Sequence, residues 1–252
     1  MSISDQLLLA PENRIVGWVG GKGRDYFLRI LASDLDRQGK KVVLSHFHYN
    51  RLPPIGKIVV EENPKTIQQK LKTLLREESI LYIGRMFNEN LLSGIDQEYL
   101  NELMAVEEID YIFLNVGPIQ EYSFLTKKSI SSVIQTKNLN QLLYFFQVDV
   151  LDGMMEHSVI ENPTAFLQQF PKKYRGKTFT LPLMLSYLTE VANGASRFFK
   201  QKWPAALILT AVDSVLVENK AVNFARELFA RGIEHIFLAN IREESVKKVP
   251  IK

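Results

Sequence analysis

Residues 14–45, RIVGWVGGKGRDYFLRILASDLDRQGKKVVLS, decide the fold class. The opening RIVGWV is an apolar run of strand type, and Gly20, Gly21 and Gly23 follow it at once. Tyr26, Phe27, Ile30, Leu31 and Leu35 then recur at helical spacing, and Gln38-Gly39 suits a helix stop. KVVLS, at 41–45, reads as a second strand. Strand, glycine turn, helix and strand in this order form the βαβ opening of a parallel sheet, because parallel neighbours need a crossover between them.

The alternation continues outward. Strands are expected at 55–60, 80–83, 111–116 (YIFLNV), 142–150, 206–210 (ALILT) and 235–239 (HIFLA). Helices are expected at 64–77, 96–106, 163–170, 181–191 and 217–231. Near-continuous apolar strands separated by helices indicate a mostly parallel sheet covered on both faces. The expected fold is therefore α/β, a three-layer sandwich with helices on both faces of a mostly parallel sheet. No Pro/Gly/Ser linker divides the chain, so residues 1–252 read as one domain, with the polar stretch 126–140 an insertion or long loop.

Composition narrows the function classes. A hydrophobic content of 46% with 23% charged residues supports a packed core, not a disordered chain. The 252 residues contain no cysteine, which excludes disulfides, thiolate metal sites and thiol catalysis. Lys+Arg 31 against Asp+Glu 28 leaves +3, too small a charge to imply nucleic acid. The start, MSISDQLLLAPENR, lacks the basic and apolar regions of a signal peptide, and no run reaches the roughly 18 apolar residues of a membrane span. A soluble cytoplasmic protein is expected.

The first strand-to-helix turn of such a sheet is the usual anion site, because helix N–H groups and the helix dipole converge there. Gly20, Gly21, Lys22 and Gly23 occupy it, with Arg24 next. The P-loop pattern G-x-x-x-x-G-K-[ST] is half met: Val16 stands at its first glycine and Gly23 at the hydroxyl that would ligate Mg²⁺. The dinucleotide pattern is half met too, with Gly21 and Gly23 present but Tyr26 at the third glycine. Glycines needed only for a tight turn account for the same residues.

With these motifs in view, the chain resembles the YqeC-type selenium-dependent hydroxylase accessory proteins, P-loop proteins with a G-x-G-G-K-T-T turn. Gly20, Gly21 and Lys22 match G-G-K, Trp18 stands at the first glycine, and Gly23 and Arg24 replace the two threonines. His48 matches the family histidine after the second strand, and Pro53 or Pro54 the following proline. Where the family has E-A-D-G this chain reads Leu114-Asn115-Val116-Gly117. Gly153 and Pro163 keep fragments of a later segment, and Thr210-Ala211-Val212-Asp213 retains only the Asp of N-K-x-D, the type of segment that reads a guanine base. The resemblance implies a nucleotide or phosphate at the turn, contacted by Gly20, Gly21, Lys22, Gly23, Arg24, His48 and Asp213. It also implies an accessory role in maturing a selenium-dependent molybdenum hydroxylase. The lost acids and hydroxyl imply no NTP hydrolysis; an NTP-dependent maturation factor or an NAD(P)-dependent oxidoreductase is the alternative.

Other features carry competing readings. His46 and His48 fall on one face of a strand, suited to a shared metal or to a plain strand end. His157 and His235 have no partner pattern. Asp149 and Asp152 fit a catalytic strand end or an ordinary Asp-Gly turn. No G-x-S-x-G elbow is present. Residues 170–202 carry Lys172, Lys173, Arg175, Lys177, Arg197, Lys200 and Lys202 against Glu190, interleaved with Tyr174, Phe179, Phe198, Phe199 and Trp203. That stretch suits an acidic partner or a phosphorylated ligand, or simply a solvated surface.

Overall fold

The computed structural model describes residues 2–7, 14–47, 50–51, 56–88, 91–117, 139–157, 159–160, 162–174, 176–192, 205–240 and 242–249. The chain runs α1 (Ile3–Leu7), β1 (Ile15–Gly20), α2 (Arg24–Arg37), β2 (Val42–His46), β3 (Asn50–Arg51), β4 (Lys57–Val60) and α3 (Pro64–Leu74). It continues through β5 (Ile80–Asn88), β6 (Leu91–Ser93), α4 (Gln97–Met104), β7 (Tyr111–Asn115) and β8 (Gln141–Gln147). Then come α5 (Pro163–Gln168), α6 (Leu181–Ala192), β9 (Ala205–Thr210), α7 (Val215–Phe229), β10 (Ile236–Asn240) and β11 (Ser245–Lys248). No helix among the described residues is long and apolar enough to cross a membrane.

The strands lie in the order β4-β5-β2-β7-β1-β8-β9-β10-β11, parallel throughout except for β11, which pairs antiparallel with β10. The far end of β5 leaves this sheet to pair antiparallel with β6, which in turn pairs with β3. β1 is central, its six residues all buried between β7 and β8. The chain builds outward from β1 to one side and crosses to the other after β7, so β1 lies at the switch in strand order. Its carboxyl end is where such sheets leave a crevice.

The pleat divides the core in two. Ile15, Val19, Ile112, Leu114, Tyr144 and Leu209 face a layer that includes α3, α4, α6 and α7. Val16, Trp18, Phe113, Phe145 and Ile208 face the other side, where Phe27, Leu28, Leu31 and Leu35 of α2 and Leu7 of α1 cover them. This is the expected α/β sandwich. Its helices start as their sequences dictate. Asn63 caps α3 ahead of Pro64, Asp96 caps α4 by accepting from the Tyr99 amide at 2.9 Å, and Asn162 caps α5 ahead of Pro163.

The differences from expectation are local. The strand expected at 142–150 ends at Gln147 and passes into a 3-10 turn at Val148–Val150, while β5 runs five residues beyond the expected 83. α1, β11 and the β3–β6 pairing are additional; each is too short for periodicity to reveal. The 126–138 part of the expected loop lies outside the described residues. Asn140, at its end, fixes β8 against β1, giving its amide to the Ile15 carbonyl and taking the Ile15 amide on Oδ1, both at 2.9 Å.

Arg14 joins this framework to α4. Its guanidinium donates to the carbonyls of Met104 (2.7 Å), Ile109 (3.0 Å) and Val106. These carbonyls close the helix end and the link to β7, and one planar fork satisfies three of them. Arg14→Ala is expected to cost about 1.5–3 kcal/mol in urea unfolding, and Arg14→Lys to recover only part of it.

Candidate functional site at the carboxyl edge

Seven polar residues are buried among those described, and five of them, Arg24, Ser45, His46, Asn115 and Thr210, lie at the carboxyl ends of strands or just beyond. Burial of a polar group is costly unless it is hydrogen-bonded. Ser45 Oγ donates to the Ile83 carbonyl at 2.8 Å, and Asn115 Oδ1 accepts the Gly117 amide at 3.0 Å. The Thr210 hydroxyl points to the carbonyls of Lys22 (3.3 Å) and Phe146 (3.4 Å). His46 Nε2 lies 3.0 Å from the Leu92 carbonyl, which can only accept, so Nε2 carries the hydrogen. Nδ1 lies 3.0 Å from the Tyr82 hydroxyl, within hydrogen-bond reach. Both nitrogens of His46 are thus committed to the fold, and among the described residues no group of His, Cys, Asp or Glu could hold a metal. His48 lies outside the described residues.

The glycine turn spans only residues 21–23 between β1 and α2. Trp18 is strand and core, 2% exposed against α2, so β1 extends to Gly20 and leaves little loop. Gly20 has φ +113°, and a Cβ there would lie 2.1 Å from the Phe145 carbonyl oxygen of β8. The Gly21 amide donates to that same oxygen at 2.8 Å. Gly23 caps α2 in the left-handed region, φ +87°. Geometry alone therefore requires Gly20 and favours glycine at 23, and one turn amide is spent within the sheet. Lys22 is exposed, its side chain in solvent over the edge.

Arg24 lies beneath this turn. Its side chain has no exposed surface, Nη1 donates to the Gly20 carbonyl at 3.3 Å, and Asp25 stands 3.7 Å from Nε. Gly117 makes room for it: a Cβ there would lie 2.9 Å from Val19 and 3.0 Å from Arg24 Nη1. Leu114, within β7, and Val116, just after it, are core residues.

Asp213 lies further along the same edge. A cleft of about 220 Å³ opens between the start of α7 and the β10–β11 hairpin, lined by Asp213, Ser214, Val215 and Glu218 on one side and Asn240 and Lys247 on the other. Thr210, three residues before Asp213, touches Lys22, so cleft and glycine turn are neighbours. A second tie runs from Tyr26 in the first turn of α2, whose hydroxyl donates to Glu244 Oε1 at 3.1 Å and is thereby pushed above the usual phenol range. Asp213 was legible in the sequence but the cleft was not, because β11 is only four residues long and Val246 is its one apolar residue.

The remaining candidates resolve individually. Asp152 adopts φ +67° and pairs with Lys220 at 3.0 Å, and Asp149 takes the Gln147 amide at 2.9 Å, so both serve the turn after β8. His157 is exposed. Burial, then Lys248, holds His235 below the usual imidazole range. In the basic stretch, Phe170 and Phe179 are core residues, which removes them from any surface array, while Lys172, Lys173 and Lys177 are exposed and Lys173 lies over the Tyr174 ring at 4.9 Å. Arg175, Arg197, Phe198, Phe199, Lys200, Lys202 and Trp203 lie outside the described residues, and so does the side chain of Glu190. No family model matches the chain, and no curated protein matches it in sequence.

Two outcomes are expected. Gly20→Ala adds a clash to an unfavourable φ and is expected to cost more than about 3 kcal/mol, whereas Gly39→Ala, at φ +73° with nothing within 4 Å of the new Cβ, costs about 1–2 kcal/mol. Urea melts of both variants compare them directly. Reversing Lys172, Lys173 and Lys177 to Glu is expected to change stability by no more than about 0.5 kcal/mol, since exposed charges contribute little; a larger loss in a thermal melt would show that their stems cover the core.

Proposed function

We propose that this chain is a nucleotide-binding accessory protein that holds its ligand along the carboxyl edge without hydrolysing it. The observation that carries this reading is the continuity of the glycine turn with the Asp213 cleft through the Thr210–Lys22 contact. In this reading the Lys22 ammonium and the start of α2 receive the phosphates. The base enters the cleft, with Val215 and Leu238 as its apolar walls and the Asp213 carboxylate as acceptor. A carboxylate accepts only, so it favours guanine, which presents N1–H and a 2-amino group side by side. The resemblance to selenium-dependent hydroxylase accessory proteins makes maturation of such an enzyme the process served, and an acidic partner docking on Lys172, Lys173 and Lys177 is part of the same proposal.

Absence of turnover follows from side-chain chemistry. Gly23 brings no hydroxyl, and Leu114 and Val116 bring no carboxylate with which to ligate Mg²⁺ or orient water. Calorimetry with GDP, GTP, ATP and NAD tests the reading. Guanine nucleotides are expected to bind best, Lys22→Ala to weaken them by about 1.5–3 kcal/mol, and phosphate release to stay at background. Equal affinity in wild type and Lys22→Ala removes the phosphate site. Turnover at even about 1 per second refutes the non-hydrolysing role. A preference for NAD points instead to the oxidoreductase alternative.

A further inference from the structure

The cleft is bridged by charge. Arg242 Nη2 stands 3.2 Å from Asp213 Oδ2, and Lys247 Nζ lies 4.0 Å from Glu218 Oε1. Arg242 belongs to the β10–β11 turn, which is held from two directions. Asn240 Oδ1 accepts the amides of Arg242 (3.1 Å) and Glu243 (3.2 Å), and Glu244 accepts the Tyr26 hydroxyl from α2. The Arg242 side chain itself is 78% exposed. The anchored part is the turn, and the part free to swing is the guanidinium.

We propose that Arg242 gates the cleft: its guanidinium holds the Asp213 carboxylate that a base would otherwise engage, and it must swing aside for the ligand to bind. This rests on the nucleotide reading above and assigns regulation to the same site. A guanidinium and the N–H edge of a base are both pure donors at this acceptor, so they compete for it. The base brings no negative charge with which to recruit Arg242. The phosphates, in the proposed pose, lie toward Lys22. An exposed ion pair is weak, so the gate is easily opened and its effect is a modest shift in affinity. Arginine stays charged across the working pH range, so the gate responds to ionic strength rather than to protons. Asp213, Glu218, Glu243, Lys247 and Arg242 are the charged groups around the cleft.

Guanosine, which carries no phosphate, reports on the cleft alone, and GDP on cleft and turn together. Their affinities are compared by calorimetry on wild type, Arg242→Ala, Arg242→Lys, Asp213→Ala and the Arg242→Ala/Asp213→Ala double variant, with melts confirming that each is folded. The expected result is that Arg242→Ala binds both ligands about two- to fivefold tighter than wild type, the range that releasing an exposed ion pair allows. Arg242→Lys should stay near wild type, and the gain should vanish when Asp213 is also removed. Raising the salt should shrink the guanosine difference, since the Debye length falls from about 30 Å at 0.01 M to about 3 Å at 1 M. Wild type that binds while Arg242→Ala binds equally or more weakly overturns the gate and leaves the nucleotide reading standing. A gain that persists without Asp213 also overturns it. Failure of every protein to bind either ligand removes the nucleotide reading and the gate together.

Discussion

The carbonyl oxygen of Phe145 occupies the space of a side chain at residue 20, and the right half of the sheet depends on that contact. Any Cβ on Gly20 would lie 2.1 Å from this oxygen, so glycine lets β8 pair with β1 to its last residue. The register passes outward from there. Phe145 stands opposite Ile208 and Gln147 opposite Thr210, which brings the Thr210 hydroxyl onto the Lys22 carbonyl. β10 aligns on β9 and β11 on β10, and the cleft beside Asp213 is the space left between their ends and α7. A backbone requirement at one glycine thereby sets the geometry of a cleft four strands along the sheet.

The rest of the edge is held by a thin polar layer between two apolar faces. Ser45, His46, Asn115 and Thr210 lie where the strands run out, and each hydrogen-bonds to a backbone group or to a buried tyrosine. A lost partner in such a place costs about 1–3 kcal/mol, so these residues specify the arrangement of the edge as much as they stabilise it. They also sort polar groups by role. Arg24 and His46 are consumed by the fold, while Lys22 and Asp213 are exposed along the edge.

The glycine motif illustrates how one pattern carries two meanings. Gly-Gly-Lys-Gly after a strand is the mark of an anion site, and it is equally the mark of a three-residue turn between a buried strand and a helix. Trp18 tips the local geometry toward the short turn, because an indole packed on α2 keeps residues 18–20 in the sheet. Any phosphate site here therefore relies on the Lys22 ammonium and the start of α2 more than on a long cradle of amides.

Local signals were enough for the alternation of strands and helices, the βαβ opening and the α/β class. Periodicity and capping act over a few residues and are written directly in the chain. Strand order was not legible: nothing in residues 15–20 says that β7 and β8 flank β1, since parallel pairing is a contact between segments about a hundred residues apart. For the same reason the sequence named Arg24 and Asp213 alike as ligand residues. The folded chain buries the first beneath Gly20 and sets the second in a cleft against Arg242. Residue type is local, but exposure and partner depend on which distant strand end arrives beside it.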